Sequence, residues 1–187
     1  MKKALLIIDA QEDFIGEQRN KERFNFEDVD NLINNINKKI IFYQRNKDIV
    51  IYIASVLPNN FFYKKFFGYG LVGTKGAKLD KRIKIVSQNY FEKQFASAFR
   101  NSNLVKFMKK NEVSKIELVG VDNNECIFKT ARSAVKIGLN VIIPSNSIGI
   151  INNEKYRRIT NKLKSIGVAY IWKKLIKLRL SFYKYFI

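Results

Sequence analysis

The sequence predicts a three-layer α/β/α fold around a doubly wound, mainly parallel six-stranded sheet. Two observations carry this expectation. Short apolar runs without polar alternation, such as Ala4 to Ile8 and Ile49 to Ala54, read as strands buried on both faces. Between such runs lie segments whose apolar residues recur at helical spacing, and two of these close on glycines, Gly138 and Gly167.

The elements follow in order. Ala4 to Ile8 is the first strand, and Asp28 to Tyr43 is a helix marked by Val29, Leu32, Ile33, Ile36, Ile40 and Tyr43. Ile49 to Ala54 is the second strand and Lys84 to Val86 a short third one. Ser102 to Lys110 reads as a helix, Lys115 to Val121 as the fourth strand and Glu125 to Ile137 as a helix. Leu139 to Ile143, the helix Asn153 to Ser165 and Val168 to Ile171 complete the pattern. In such sheets ligands bind beyond the carboxyl ends of the strands, where the strand order reverses. Attention therefore falls on Asp9, Ser55, the segment from Ser87, Asp122 and Ser145.

Two segments stand outside this scheme. Leu57 to Leu79 has no clear period and is rich in Phe, Tyr, Lys and Gly. A connection of that length suits a lid or binding loop, and it equally suits packing over the sheet edge or between subunits. Within it, Gly68-Tyr69-Gly70-Leu71-Val72-Gly73 matches the dinucleotide fingerprint by letter. The match lacks the strand-to-helix setting that gives the pattern meaning. Residues 172–187 form a basic, aromatic arm without an acidic residue. We assign 1–171 to one domain and the arm to the same domain.

The 187 residues suffice for one substantial core, and 47% apolar content excludes a disordered chain. The formal charge is +19. Because Lys, Asn, Ile and Phe are abundant together and the lysines are scattered, a compositional bias explains this charge better than a specific nucleic-acid site. No run approaches the ~20 apolar residues of a membrane-spanning helix. The apolar run at the N-terminus is stopped by Asp9, short of a secretory core. The expected location is the cytoplasm.

Three residues carry the candidate chemistry. Asp9 closes the first strand, a position that also suits a turn residue. Cys126 follows the fourth strand in Gly120-Val121-Asp122-Asn123-Asn124-Glu125-Cys126. In the first turn of a helix, free N–H groups and the helix dipole would lower a thiol pKa and hold an oxyanion. The alternative is a small buried hydrophobe. Lys93 precedes Ser97-Ala98-Phe99 at a fixed offset. The chain contains no histidine, so a cysteine nucleophile here would need a carboxylate base.

Together these segments resemble the isochorismatase-like cysteine hydrolases, which include the nicotinamidases and related amidases. The resemblance rests on the strand closing in Asp9-Ala10-Gln11 with Phe14, on Lys93 with Ser97-Ala98-Phe99, and on Gly120-Val121, Cys126, Thr130-Ala131, Ala134 and Gly138. It implies a catalytic triad of Asp9, Lys93 and Cys126. Cys126 would be the nucleophile, Asp9 the base and Lys93 the cation that holds Asp9. It further implies a cis peptide at Val121-Asp122, with backbone N–H groups of Asp122 and Cys126 facing the oxyanion. Gln11 and Phe14 would contact substrate, and the protein would assemble as a homo-oligomer.

One departure is informative. Nicotinamidases carry a metal site of histidines and an acidic residue after the second strand. This chain has no histidine, and between Asp48 and Asp80 it has no Asp or Glu. The expected function is therefore metal-independent, cofactor-free hydrolysis of a C–N bond, of amide or ureide type, in a small molecule through a thioester. Hydrolysis of a non-amide substrate is an alternative, as is an inactive relative serving as a basic binding protein. Asp122 is expected to face away or to cap the following helix.

Overall fold

Six parallel strands form the central sheet in the order β3-β2-β1-β4-β5-β6. In this computed structural model, residues 2–171 are described. The strands are β1 (Lys2–Ile8), β2 (Ile49–Ser55), β3 (Tyr90–Lys93), β4 (Val113–Gly120), β5 (Asn140–Pro144) and β6 (Ala169–Ile171). The helices are α1 (Glu12–Ile15), α2 (Val29–Arg45), α3 (Phe61–Phe66), α4 (Ser102–Lys110), α5 (Phe128–Lys136) and α6 (Asn153–Lys164). The basic arm from 172 lies outside the described residues.

The central strands are apolar on both faces because both faces are covered. Alternate residues of β1 point into separate cores. Leu5 and Ile7 pack with Val29, Leu32, Ile36 and Ile40 of α2. Ala4, Leu6 and Ile8 pack with Leu104, Ala131 and Ile159 from α4, α5 and α6. This is the expected three-layer, doubly wound arrangement. The strand order reverses between β1 and β4, so a crevice opens there at the carboxyl ends.

The third strand differs from expectation. Lys84 to Val86 makes no ladder, and the strand is Tyr90–Lys93, paired with Tyr52 to Ser55. Residues 84–86 lie beside β2 through one side chain. The Tyr52 hydroxyl donates to Lys84 O at 2.7 Å and accepts from Val86 N at 2.9 Å. β3 carries Glu92 and Lys93 in four residues, so its apolar signal is weak. The helix after β4 also starts late. Asn123–Ile127 forms a wide π-type turn in which Asp122 O accepts from Glu125 N and Ile127 N, and α5 begins at Phe128.

The 57–79 segment is pinned along the carboxyl edge of the sheet. Leu57 N donates to Gly70 O, Val72 N to Leu57 O, and Glu12 N to Lys78 O. The Asp13 carboxylate accepts from Gly70 N at 2.8 Å. The segment contains one helix, α3, which opens on an Asn60 cap and buries none of its side chains. The fingerprint-like glycines fall in turns after α3, without a strand before them. No described helix is long and apolar enough to cross a membrane.

Candidate active site

β1 delivers Asp9, β2 Ser55, β3 Lys93 and the turn after β4 Cys126, all at one end of the sheet. Asp9 sits at φ 52°, in the left-handed region that Asp tolerates better than most residues. Its N–H still donates to Ile53 O, so the chain turns while its backbone stays tied to β2. The Lys93 ammonium is buried and fully engaged. It bonds Asp9 Oδ2 at 2.8 Å, Ser55 Oγ at 2.7 Å and Cys126 Sγ at 3.2 Å. A lysine carries three N–H donors, so this set uses them all.

The electrostatics differ from the expectation of an acidified thiol. Burial pushes the Cys126 thiol well above its usual range; Asp9 adds to the effect and Lys93 opposes it. The turn geometry does not override that desolvation. Burial draws Lys93 down, but Asp9 and Cys126 outweigh it and hold the ammonium charged above its usual value. Burial and Asp9 thus favour the neutral thiol, and the neighbouring Lys93 is held as the ammonium. Asp9 Oδ1 is buried, and Asp9 acts on the thiol through its charge and a side-chain hydrogen bond.

Cys126, Asp9 and Lys93 form the floor of a cavity of about 490 Å³. Phe14, Phe24, Phe67 and Tyr69 provide an aromatic wall of touching rings against which Arg23 packs, and Leu57 also lines the cavity. Ser55, Gln94 to Ala96, Asp122, Glu125 and Ile151 complete the lining. The long segment thus both packs on the sheet edge and walls the cavity. Phe14 lines the cavity.

Gln11 corrects the expectation made for it. Its side chain is fully buried and does not line the cavity. Its amide donates to Ser55 O and Ala77 O and accepts from Ser55 N. All its reach is spent tying the turn after β1 to β2 and to the 57–79 segment.

The Val121-Asp122 peptide is cis. The Asp122 side chain caps the turn that holds Cys126, accepting from Asn124 N at 2.5 Å. It also borders the cavity, and burial pushes its carboxyl up to about 6, against the opposing Asn124 N–H. The residues that accompanied the triad in the sequence pattern have structural roles. Ser97 bonds Ser133 at 2.8 Å, and the Thr130 hydroxyl accepts from Ala98 N at 3.0 Å. These bonds fasten the segment after Lys93 to the helix after Cys126. Sequence reasoning missed Ser55 as a partner of Lys93, and it missed Arg23 and Asp13. Ser55 alone was signalled, by its position after a strand.

The donors do not fit a divalent metal. The chain lacks histidine, and no cluster of three or more His, Cys, Asp or Glu side chains occurs among the described residues. Asp80, the first carboxylate after Asp48, is buried and held by Arg82 at 2.7 Å.

A doubly wound sheet with a concave, charged cavity at its switch point defines the class, an α/β enzyme acting on a small molecule. The family model for the isochorismatase domain matches residues 3–171, and the chain belongs to that family and is a hydrolase. It is 28% identical over 149 residues to YrdC, an uncharacterized isochorismatase family protein of Bacillus subtilis, covering 78% of this chain and 73% of the relative. Its structure is similar to that of the nicotinamidase PncA from Bacillus subtilis. That match has a TM-score of 0.80 and 25% identity, and covers 92% of this chain and 100% of the other. An N-carbamoylsarcosine amidase from Thermoplasma acidophilum shares the fold, with a TM-score of 0.77 and 19% identity over 95% and 99% of the two chains.

Proposed function

We propose that the protein hydrolyses a C–N bond of a small amide or ureide through a thioester on Cys126, without a metal. The observation that carries this reading is the single ammonium of Lys93, bonded at once to the Asp9 carboxylate and the Cys126 sulfur at the cavity floor. The similarity to proteins described as a nicotinamidase and an N-carbamoylsarcosine amidase supports the amide class.

The neutral thiol becomes a nucleophile only by losing its proton during attack. Asp9 takes that proton as the sulfur forms its bond to the carbonyl carbon, and the carbonyl electrons move to oxygen. Lys93 stays charged throughout, which keeps Asp9 placed and balances the developing sulfur charge. The Asp122 N–H has no acceptor among the described residues, so it is available to the oxyanion, together with the backbone at Cys126. The oxyanion collapses and the C–N bond breaks. Asp9 returns its proton to the leaving nitrogen, which departs as ammonia or an amine. Water then attacks the thioester, Asp9 accepts the water proton, and the carboxylic acid leaves as the thiol is restored.

The test is Cys126→Ala, assayed on a panel of small amides and ureides. Cys126 is partly buried and alanine removes only its sulfur atom, so the variant is expected to fold while turnover falls by about a thousandfold or more. Wild-type enzyme quenched during turnover is expected to show an acyl adduct at Cys126 by intact mass. A folded Cys126→Ala protein with undiminished turnover would overturn the thioester route and favour hydrolysis of a non-amide substrate.

A further inference from the structure

The charged groups around the cavity are committed, with one exception. Lys93 is paired with Asp9, and Glu125 is paired with Lys155 at 2.7 Å. Asp122 is occupied by the Asn124 N–H. Arg23 has no carboxylate partner among the described residues. Its guanidinium is nevertheless held in place. It lies over the Tyr69 ring at 4.5 Å from the centroid and over Phe24 at 5.8 Å, and one nitrogen donates to Phe67 O at 2.8 Å. That single bond leaves four of the five guanidinium N–H groups unused.

Arg23 also lies within range of the reacting end. The Tyr69 phenol is pushed up chiefly by burial, and its proton also feels the charges of Arg23, Cys126, Lys93 and Asp9. Arg23 and Cys126 line one cavity, so a ligand held there can meet the cation and the thiol together. The acidic groups of the lining, Asp122 and Glu125, would repel an anion placed against them.

Resting on the amide-hydrolase reading above, we propose that Arg23 is a specificity-determining anchor, and that the substrate is a flat, unsaturated or aromatic amide bearing a carboxylate remote from the scissile bond. Stacking on Tyr69 fixes the plane of the guanidinium, and its free edge offers paired donors that match a carboxylate. Phe14 and Phe24 accept the flat body between the two polar ends.

The probe pair is 3-carbamoylbenzoate and benzamide, which differ by the carboxylate alone. Calorimetry on the full chain gives each affinity for wild type, Arg23→Gln and Arg23→Lys, and parallel assays give KM and kcat. Wild type is expected to prefer the carboxylate-bearing amide. In Arg23→Gln that preference is expected to fall by about tenfold or more, through KM, and Arg23→Lys should restore part of it. Arg23 is exposed, so the variants test recognition rather than folding. Equal preference in wild type and Arg23→Gln, or a wild type that favours benzamide, would overturn the proposal. Carboxylate-dependent binding without turnover would instead sink the hydrolysis of this amide and leave the anchor standing.

Discussion

Asp122 does two things with one carboxylate. It caps the turn that carries Cys126, and it sits where burial disfavours its charge. Its value rises from 3.8 to about 6, so between those pH values the folded chain holds a proton that the unfolded chain has released. Stability attributable to this group therefore falls as pH rises through that window, and the cost is fully present at pH 8. Asparagine keeps the accepting oxygen and removes the charge. Asp122→Asn is expected to be more stable than wild type at pH 8, by on the order of 2–3 kcal/mol, with the advantage gone near pH 4. Urea midpoints at the two pH values measure it. An equal difference at both would mean that the capping bond, and not the buried charge, governs this residue.

At the scale of elements, the site depends on how closely β1 and β4 approach at the switch point. Gly120 ends β4 at φ 111°, and a Cβ there would collide with the Ile8 backbone. The neighbouring bonds run from Val121 N to Ile8 O and from Gly149 N to Gly120 O, so this backbone cannot retreat cheaply. Gly120→Ala is expected to cost about 3 kcal/mol or more and to lower the melting temperature sharply. A variant of near-wild-type stability would mean that the strand ends are freer than this packing implies. Elements of this kind were legible in the sequence to the extent that burial and period agreed. β1, β2, α2 and α6 are apolar or amphipathic enough to read directly. β3 was not, because an edge strand of four residues ending in Glu92 and a buried lysine has no apolar run to reveal it. Asp9, Lys93 and Cys126 were readable as pattern and Ser55 as a position after a strand, but Arg23 was not readable. Arg23 is one basic residue among 35, and only the folding of the 57–79 segment brings Tyr69 beneath it. Gln11 failed in the opposite sense. Its place beside Asp9 suggested substrate contact, while the neighbouring backbone needed its amide more.

The whole molecule carries 35 basic against 16 acidic residues, a net charge of +19. Several acidic side chains are already spent on close pairs, among them Glu117 with Lys39 at 2.6 Å and Asp48 with Lys3 at 2.9 Å. The remaining cations repel one another across the surface, and that repulsion opposes the compact state. Two salt effects compete. Screening weakens long-range repulsion between exposed lysines, because the Debye length falls from about 30 Å at 0.01 M to about 8 Å at 0.15 M. Screening also weakens exposed pairs such as Lys155 with Glu125, but these are worth little individually. The buried Lys93–Asp9 pair is sheltered from salt by the protein around it. Repulsion should therefore dominate, and the melting temperature is expected to rise as sodium chloride is increased from 0.01 to 0.15 M. The same substitution of salt should release any adventitious DNA, since non-specific binding by scattered lysines weakens steeply with counterion concentration. A melting temperature that falls over this range would show that the surface pairs, and not the unpaired lysines, set the electrostatic contribution to stability. DNA retained at high salt would point instead to a built anion-binding site on the basic surface.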